Sequence, residues 1–152
     1  MSRARRVSES LIILSPIEKA WQVANDPRKL SAVVPMLKHF SISGKMGVGA
    51  TVSEVHNILG IPQRFEGEVT DFEPGRHWAM VTRPVTWGPA SLPHSADYSF
   101  ESLEGGKTKV EIGCNYKLQG LLRLPGGGYF TAWMMRKTIQ RILALIEKRA
   151  AC

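Results

Sequence analysis

Proton transfer is the chemistry for which this chain of 152 residues carries groups, and they are few: His39, His56, His77, His94, Asp71, Asp97, Glu66, Glu68 and the phenols Tyr98 and Tyr116. They form no recognisable catalytic string. The sequence has no HExxH, no paired CxxC, no nucleophile elbow and no phosphate-binding glycine loop, so no metal and no cofactor is expected. His94 stands out because it shares strand parity with Tyr98 and Phe100 and sits where a long apolar loop enters a strand. An imidazole there, with hydroxyl donors nearby, can act as a general acid or base, and His94 and Tyr98 are the catalytic candidates. The competing reading of His94 is a surface or structural histidine. Either His56 or Asn57 points inward on its strand, depending on register. Arg64 and Arg83 are candidates to pair with an acidic ligand, or else solvated arginines at the edge of a sheet.

The elements that must position these groups are legible from turns and periodicity. Val7 to Leu14 reads as a strand, and Ser15-Pro16-Ile17-Glu18 as a helix start in which Ser15 accepts from a backbone N–H while Glu18 reaches back. Asp26-Pro27 repeats the device, so a first helix ends near Asn25 and a second short one runs to about Val34, where Pro35 stops it. Strands follow at Lys38 to Lys45, Ala50 to Leu59, Gln63 to Glu73, Arg76 to Arg83, Ser95 to Leu103 and Thr108 to Leu118, seven with the first. Their hairpin connections imply antiparallel pairing, and Val110, Ile112, Cys114, Tyr116 and Leu118 alternating with polar residues give one buried face. From about Tyr129 to Arg149 the period becomes helical, with Ala132, Met135, Ile139, Ile142 and Ile146 on one stripe.

At this length a chain buries roughly 68–70% of its unfolded surface, enough for one domain with a cavity. Residues 1–152 read as one domain, with 1–6 expected to be disordered. The net charge of +7 favours anionic partners, and the basic residues gather at the two ends. Two cysteines, Cys114 and Cys152, make no disulfide framework, which fits a reducing, cytoplasmic location. The apolar run Leu11 to Leu14 is too short for a signal-peptide core or a membrane span.

The order of elements, together with Ser15-Pro16-Ile17-Glu18-Lys19-Ala20-Trp21, Asn25-Asp26-Pro27, Gly47-Val48-Gly49-Ala50 and Glu68 to Arg76, resembles the START-like or SRPBCC superfamily, and within it the polyketide cyclase/dehydrase and lipid-transport group. The resemblance runs from about Val7 to Arg149. It implies an α+β helix-grip fold: a curved seven-stranded antiparallel sheet wrapped around a long C-terminal helix, two short helices after the first strand, and a hydrophobic cavity between sheet and helix. It also implies either a polyketide aromatase or cyclase, or a lipid or quinone carrier without catalysis, and leaves open whether the chain is an enzyme. An aromatase or cyclase removes a proton next to a carbonyl, stabilises the enolate and loses water, a task within reach of a histidine with hydroxyl donors.

On this reading the expected ligand-binding residues are Phe65, Trp78, Met80, His94, Tyr98, Phe100, Cys114, Tyr116 and Met135, the alternative for each being plain core filling. The partner expected is a hydrophobic small molecule. Three apolar or glycine-rich loops, Leu59 to Pro62, Pro84 to His94 and Gln119 to Gly128, should cluster at one end as a lid hinged at Gly126 to Gly128, as oligomer contacts such as a homodimer, or as tips touching an anionic membrane. Nucleic acid is disfavoured, since no basic stripe is interleaved with exposed aromatics.

Overall fold

Antiparallel hairpins organise the chain from its middle outward. The computed structural model describes residues 3–152. In order, the elements are β1 (Arg5–Ile13), α1 (Ile17–Ala24), β2 (Leu37–Ile42), β3 (Thr51–Ile58), β4 (Ile61–Glu73), β5 (His77–Pro84), β6 (Ala90–Ser91), β7 (His94–Leu103), β8 (Lys107–Tyr116), β9 (Gln119–Gly120) and α2 (Gly127–Ala150). Seven strands form one antiparallel sheet in the order β1-β8-β7-β5-β4-β3-β2, so that only the β1–β8 pair joins strands distant in sequence. A register shift between Val69 and Asp71 lets the long strand β4 bend, which curves the sheet around α2. Helix α2 lays Ile139, Ile142, Leu143 and Ile146 into the concave face.

The sharpest turn joins β3 to β4 through two residues, Leu59 and Gly60, both with positive φ (52° and 80°). That is the hand a two-residue hairpin demands. Leu59 is the one non-glycine residue with positive φ among those described, and Ile61 and Pro62 already belong to β4.

Several local expectations are corrected. Ser15 does not cap α1, whose N-cap is Pro16 without a side-chain hydrogen bond. Its hydroxyl instead donates to the Ala150 carbonyl at the far end of α2 (3.0 Å), while Thr108 donates to the Ser15 carbonyl (2.7 Å). A tertiary contact has taken over the local signal. Asp26 does cap, accepting from the Arg28 backbone N–H (2.9 Å), but the segment after it forms two separate 3-10 turns, Pro27–Lys29 and Ser31–Val33.

The N-terminal arginines are likewise ordered from Arg5, the first residue of β1; Met1 and Ser2 lie outside the described residues. Arg6 reaches across β8 to pair with both oxygens of Asp97 on β7 (2.8 and 3.0 Å). It passes over Gly113, where a Cβ would collide with the guanidinium.

The loops are tied together more firmly than a mobile lid requires. β6 pairs with β9, Leu121 donates to the Pro89 carbonyl (2.8 Å), Val85 donates to Arg64 (2.9 Å), and the buried Gln63 amide donates to Ala90. Gly127 and Gly128, expected to be part of a hinge, are instead the first turn of α2. A Cβ at Gly127 would strike the Leu122 carbonyl, so this glycine serves a close backbone approach.

Candidate functional site

A cavity of about 130 Å³ lies between the concave face of the sheet and α2. Its wall is built by parity. On β3 the inward positions are Val52, Glu54, His56 and Ile58, and on β7 they are His94, Ala96 and Tyr98. Phe65 and Met80 come from β4 and β5, Ile112 and Cys114 from β8, and Met134, Met135, Thr138 and Ile139 from α2. Leu30, Val34, Met36 and Phe40 close the remaining side.

Among the lining residues, ionised groups gather in one place. There Glu54, only 2% exposed, presents a single carboxylate oxygen to two imidazoles: Oε2 lies 2.8 Å from His56 Nε2 and 3.2 Å from His94 Nε2. Sheet curvature brings β3 and β7 together here although two strands separate them, and the aromatic rings of His56, Phe65 and His94 pack within 5.6 Å of one another. His94 Nδ1 donates to the Leu92 carbonyl (2.8 Å), which fixes the ring and leaves Nε2 facing Glu54 and the Thr82 hydroxyl, the latter at 3.2 Å. With Nδ1 already carrying a proton, Nε2 can donate to Glu54 only as an imidazolium.

The energetics agree with that assignment. Burial works to raise the Glu54 pKa, but hydrogen bonds from His56 and His94 outweigh it and hold the carboxyl at about 2. Burial likewise works to lower the His94 pKa, and the hydrogen bond and charge of Glu54 outweigh it, so His94 keeps its proton above the ordinary imidazole range. The pair is therefore carboxylate and imidazolium, buried and mutually compensated. The ligand atoms of Glu54, His56 and His94 all lie within 4.8 Å, a donor set with the composition of a two-histidine, one-carboxylate metal site. Because one carboxylate oxygen accepts from both rings, the cluster is satisfied as a hydrogen-bonded acid–base group.

Two further titratable groups line the wall in neutral form. Burial pushes the Cys114 thiol up to about 12 and likewise raises the Tyr98 phenol above its usual value, so one is an inert thiol and the other a hydroxyl donor.

Of the residues singled out in the sequence, Phe65, Met80, His94, Tyr98, Cys114 and Met135 stand on the cavity wall. Trp78, Phe100 and Tyr116 do not. Trp78 lies behind Tyr98, stacked at 4.0 Å, and its indole donates to the Ala24 carbonyl (2.7 Å), so it supports the wall from outside. Phe100 meets Trp21 of α1 edge-on at 5.3 Å, beneath that helix. Tyr116 is buried on β8, opposite His94 in register, outside the cavity lining. The inward residue of the His56 and Asn57 pair is His56.

The other acid–base candidates are engaged elsewhere. Asp97 binds Arg6, His77 bridges Asp71 and Glu73 (2.8 Å each), Glu66 pairs with Arg64, and Glu68 and His39 are exposed. Glu54, which anchors the cluster, is absent from the sequence candidates. The signal that finds it is the inward parity Val52, Glu54, His56, Ile58, in which two ionisable residues stand between two buried aliphatics.

The family model for polyketide cyclase/dehydrase and lipid transport matches residues 4–151. Searching curated protein sequences gives no match. Among solved structures, a conserved protein from Geobacillus kaustophilus superposes with a TM-score of 0.74 at 14% identity, covering 97% of this chain and 95% of that one. The Zhui aromatase/cyclase from Streptomyces sp. R1128 superposes with a TM-score of 0.69 at 15% identity, covering 98% and 94%. A START superfamily protein from Mycobacterium smegmatis does so with a TM-score of 0.67 at 14% identity, covering 96% and 97%. At these identities the likeness is one of fold: a helix-grip sheet around a long C-terminal helix.

Proposed function

The chain belongs to the polyketide cyclase/dehydrase and lipid transport family, and from that footing we propose that its cavity binds a small ring-bearing molecule whose oxygenated end meets His94 and Glu54. The observation that carries this reading is the buried ion pair on an otherwise uncharged wall. Ionised groups inside an apolar cavity are costly to desolvate, and a packed apolar wall would be at least as stable. Their use is to meet a polar group on the ligand.

The chemistry available is proton transfer to and from a carbonyl. His94 donates its Nε2 proton to a ligand carbonyl oxygen as negative charge builds there, in an enolisation or an aldol-type ring closure. The Glu54 carboxylate holds the imidazolium before that step, and the Nδ1 hydrogen bond to the Leu92 carbonyl keeps the neutral imidazole in place after it. The neutral ring takes up the proton lost from the carbon α to the carbonyl, which restores the imidazolium; in the later loss of water the imidazolium gives its proton to the departing hydroxyl and the neutral ring takes the adjacent C–H proton. Tyr98 contributes a neutral phenol to the same wall, and Thr82 a hydroxyl against His94.

Cavity size bounds the ligand. At about 130 Å³ the space is close to the roughly 150 Å³ engineered cavity that takes up benzene. One ring fits as the wall stands; a second ring or a longer chain needs Met36, Met134 and Met135 to move aside, which their flexible side chains allow. Carriage of a lipid or quinone without turnover is the second reading, favoured by those three methionines in the wall.

Native mass spectrometry of the freshly purified protein, followed by extraction of what it carries, separates the two. A co-purified lipid or quinone selects the carrier. Naphthol supplied to the empty protein tests the first reading: saturable binding that His94→Ala weakens about tenfold supports it, and binding indifferent to that change refutes it.

A further inference from the structure

On the surface, away from the cavity residues, the segment before α2 and the first turns of that helix expose a set of large apolar side chains that no other described residue covers. Leu121, Leu124, Phe130 and Trp133 are about half exposed, and Tyr129 is 88% exposed. Leu124, Tyr129 and Trp133 share a groove with Arg3, Arg5, Arg123 and Arg136. The neighbouring loop, hydrogen-bonded to Leu121 through Pro89, adds Trp87, also 88% exposed. Between Gln119 and Ile146 the chain carries Arg123, Arg136, Lys137 and Arg141 and no acidic residue. Helix α2 begins without a side-chain cap or an acidic first turn, so its positive end is uncompensated.

We propose that this face docks on an anionic phospholipid surface. Tryptophan and tyrosine beside leucine and phenylalanine are the side chains that settle at the boundary between headgroups and acyl chains. The arginines line the same groove, within reach of lipid phosphates, and each basic residue near an anionic leaflet strengthens binding roughly fivefold. A nucleic acid would use the arginines but leave Leu124 and Phe130 unburied. The membrane is met from its surface only, since no described helix is long and apolar enough to cross it. Because none of Arg123, Tyr129, Trp133 or Arg136 lines the cavity, docking stands or falls separately from the ligand reading.

The test is sedimentation of the full chain with vesicles of phosphatidylcholine alone or mixed equally with phosphatidylglycerol, at low and at physiological salt. The mixed vesicles should carry the protein down, salt should weaken the binding, and the tryptophan emission should shift to the blue. Arg123→Glu with Arg136→Glu should lower the partition at least tenfold, and Tyr129→Ala with Trp133→Ala should shrink the blue shift to what Trp87 contributes. Both variants should keep the far-UV circular dichroism and urea unfolding midpoint of the unmodified protein, which shows that they fold. Equal binding to both vesicle types, no binding to either, or full binding by the charge-reversed variant overturns the proposal. So does a dimer in which Trp133 is shielded from a soluble quencher, or binding to duplex DNA in place of vesicles.

Discussion

Replacing Glu54 by Gln removes one charge and almost no volume, so it isolates what the buried ion pair contributes. A carboxamide NH2 in the place of Oε2 has two protons, one for the Nε2 of each ring in its neutral form. The shape of the cluster survives while His94 loses the reason to stay protonated. In the native protein Glu54 is held from 4.5 to about 2, which corresponds to roughly 3 kcal/mol, counted once for the coupled pair. A depressed carboxyl pKa supplies stability that is complete above 4.5 and lost as the pH falls toward 2. A raised histidine pKa supplies stability that is complete below 6.5 and lost as the pH rises through the higher folded value.

The gap between native protein and Glu54→Gln should therefore be widest between pH 4.5 and 6.5, at roughly 3 kcal/mol, and narrow on both sides. Urea unfolding followed by circular dichroism across that range measures the gap, and the His94 ring resonance reports its protonation directly. In the variant His94 should titrate below the ordinary histidine value. A gap that does not change with pH, or a His94 titration unmoved by the substitution, would refute the ion-pair reasoning.

Four other outcomes are expected. Met135→Trp should fill the cavity, abolishing naphthol binding measured by calorimetry while leaving the unfolding midpoint unchanged or higher. Trp78→Ala should cost roughly 3–5 kcal/mol in urea unfolding, with naphthol affinity per folded molecule unchanged, because the indole stands behind the wall. Gly127→Ala should destabilise the protein by roughly 1–3 kcal/mol through its clash with the Leu122 carbonyl, and a neutral result would restore a free hinge at this site. Ser15→Ala should cost about 1 kcal/mol and speed amide exchange in the last turn of α2 more than in α1, since the hydroxyl binds Ala150.

The sheet was legible because its signals are local. Glycine turns such as Glu104-Gly105-Gly106-Lys107 and alternation such as Val110, Ile112, Cys114 mark hairpins without knowledge of anything distant. Ser15 was misread because the same Ser-Pro-x-Glu string serves a capping box or a tertiary hydrogen bond, and only the far end of α2 decides between them. The site was half legible. His94 follows from parity with Tyr98, but Val55 between Glu54 and His56 obscures which face of β3 turns inward. That β3 and β7 meet across two strands depends on the bend in β4, a property of the whole sheet. The β6–β9 pair was invisible for a related reason: two residues on each side carry no periodicity.

The pairing of β1 with β8 also sets a timetable. Val7 lies beside Cys114, about a hundred residues later, and Ser15 waits for Ala150. At a synthesis rate of roughly 5–20 residues per second, the first strand spends several seconds with no neighbour to pair with, its apolar side uncovered. Hairpins from β2 to β8 can form in the order they emerge; the two ends of the chain join last. A stalled or prematurely ended chain that stops before Lys107 would leave β1 unpaired on both edges, the kind of surface that chaperones hold and that otherwise seeks a strand in another molecule.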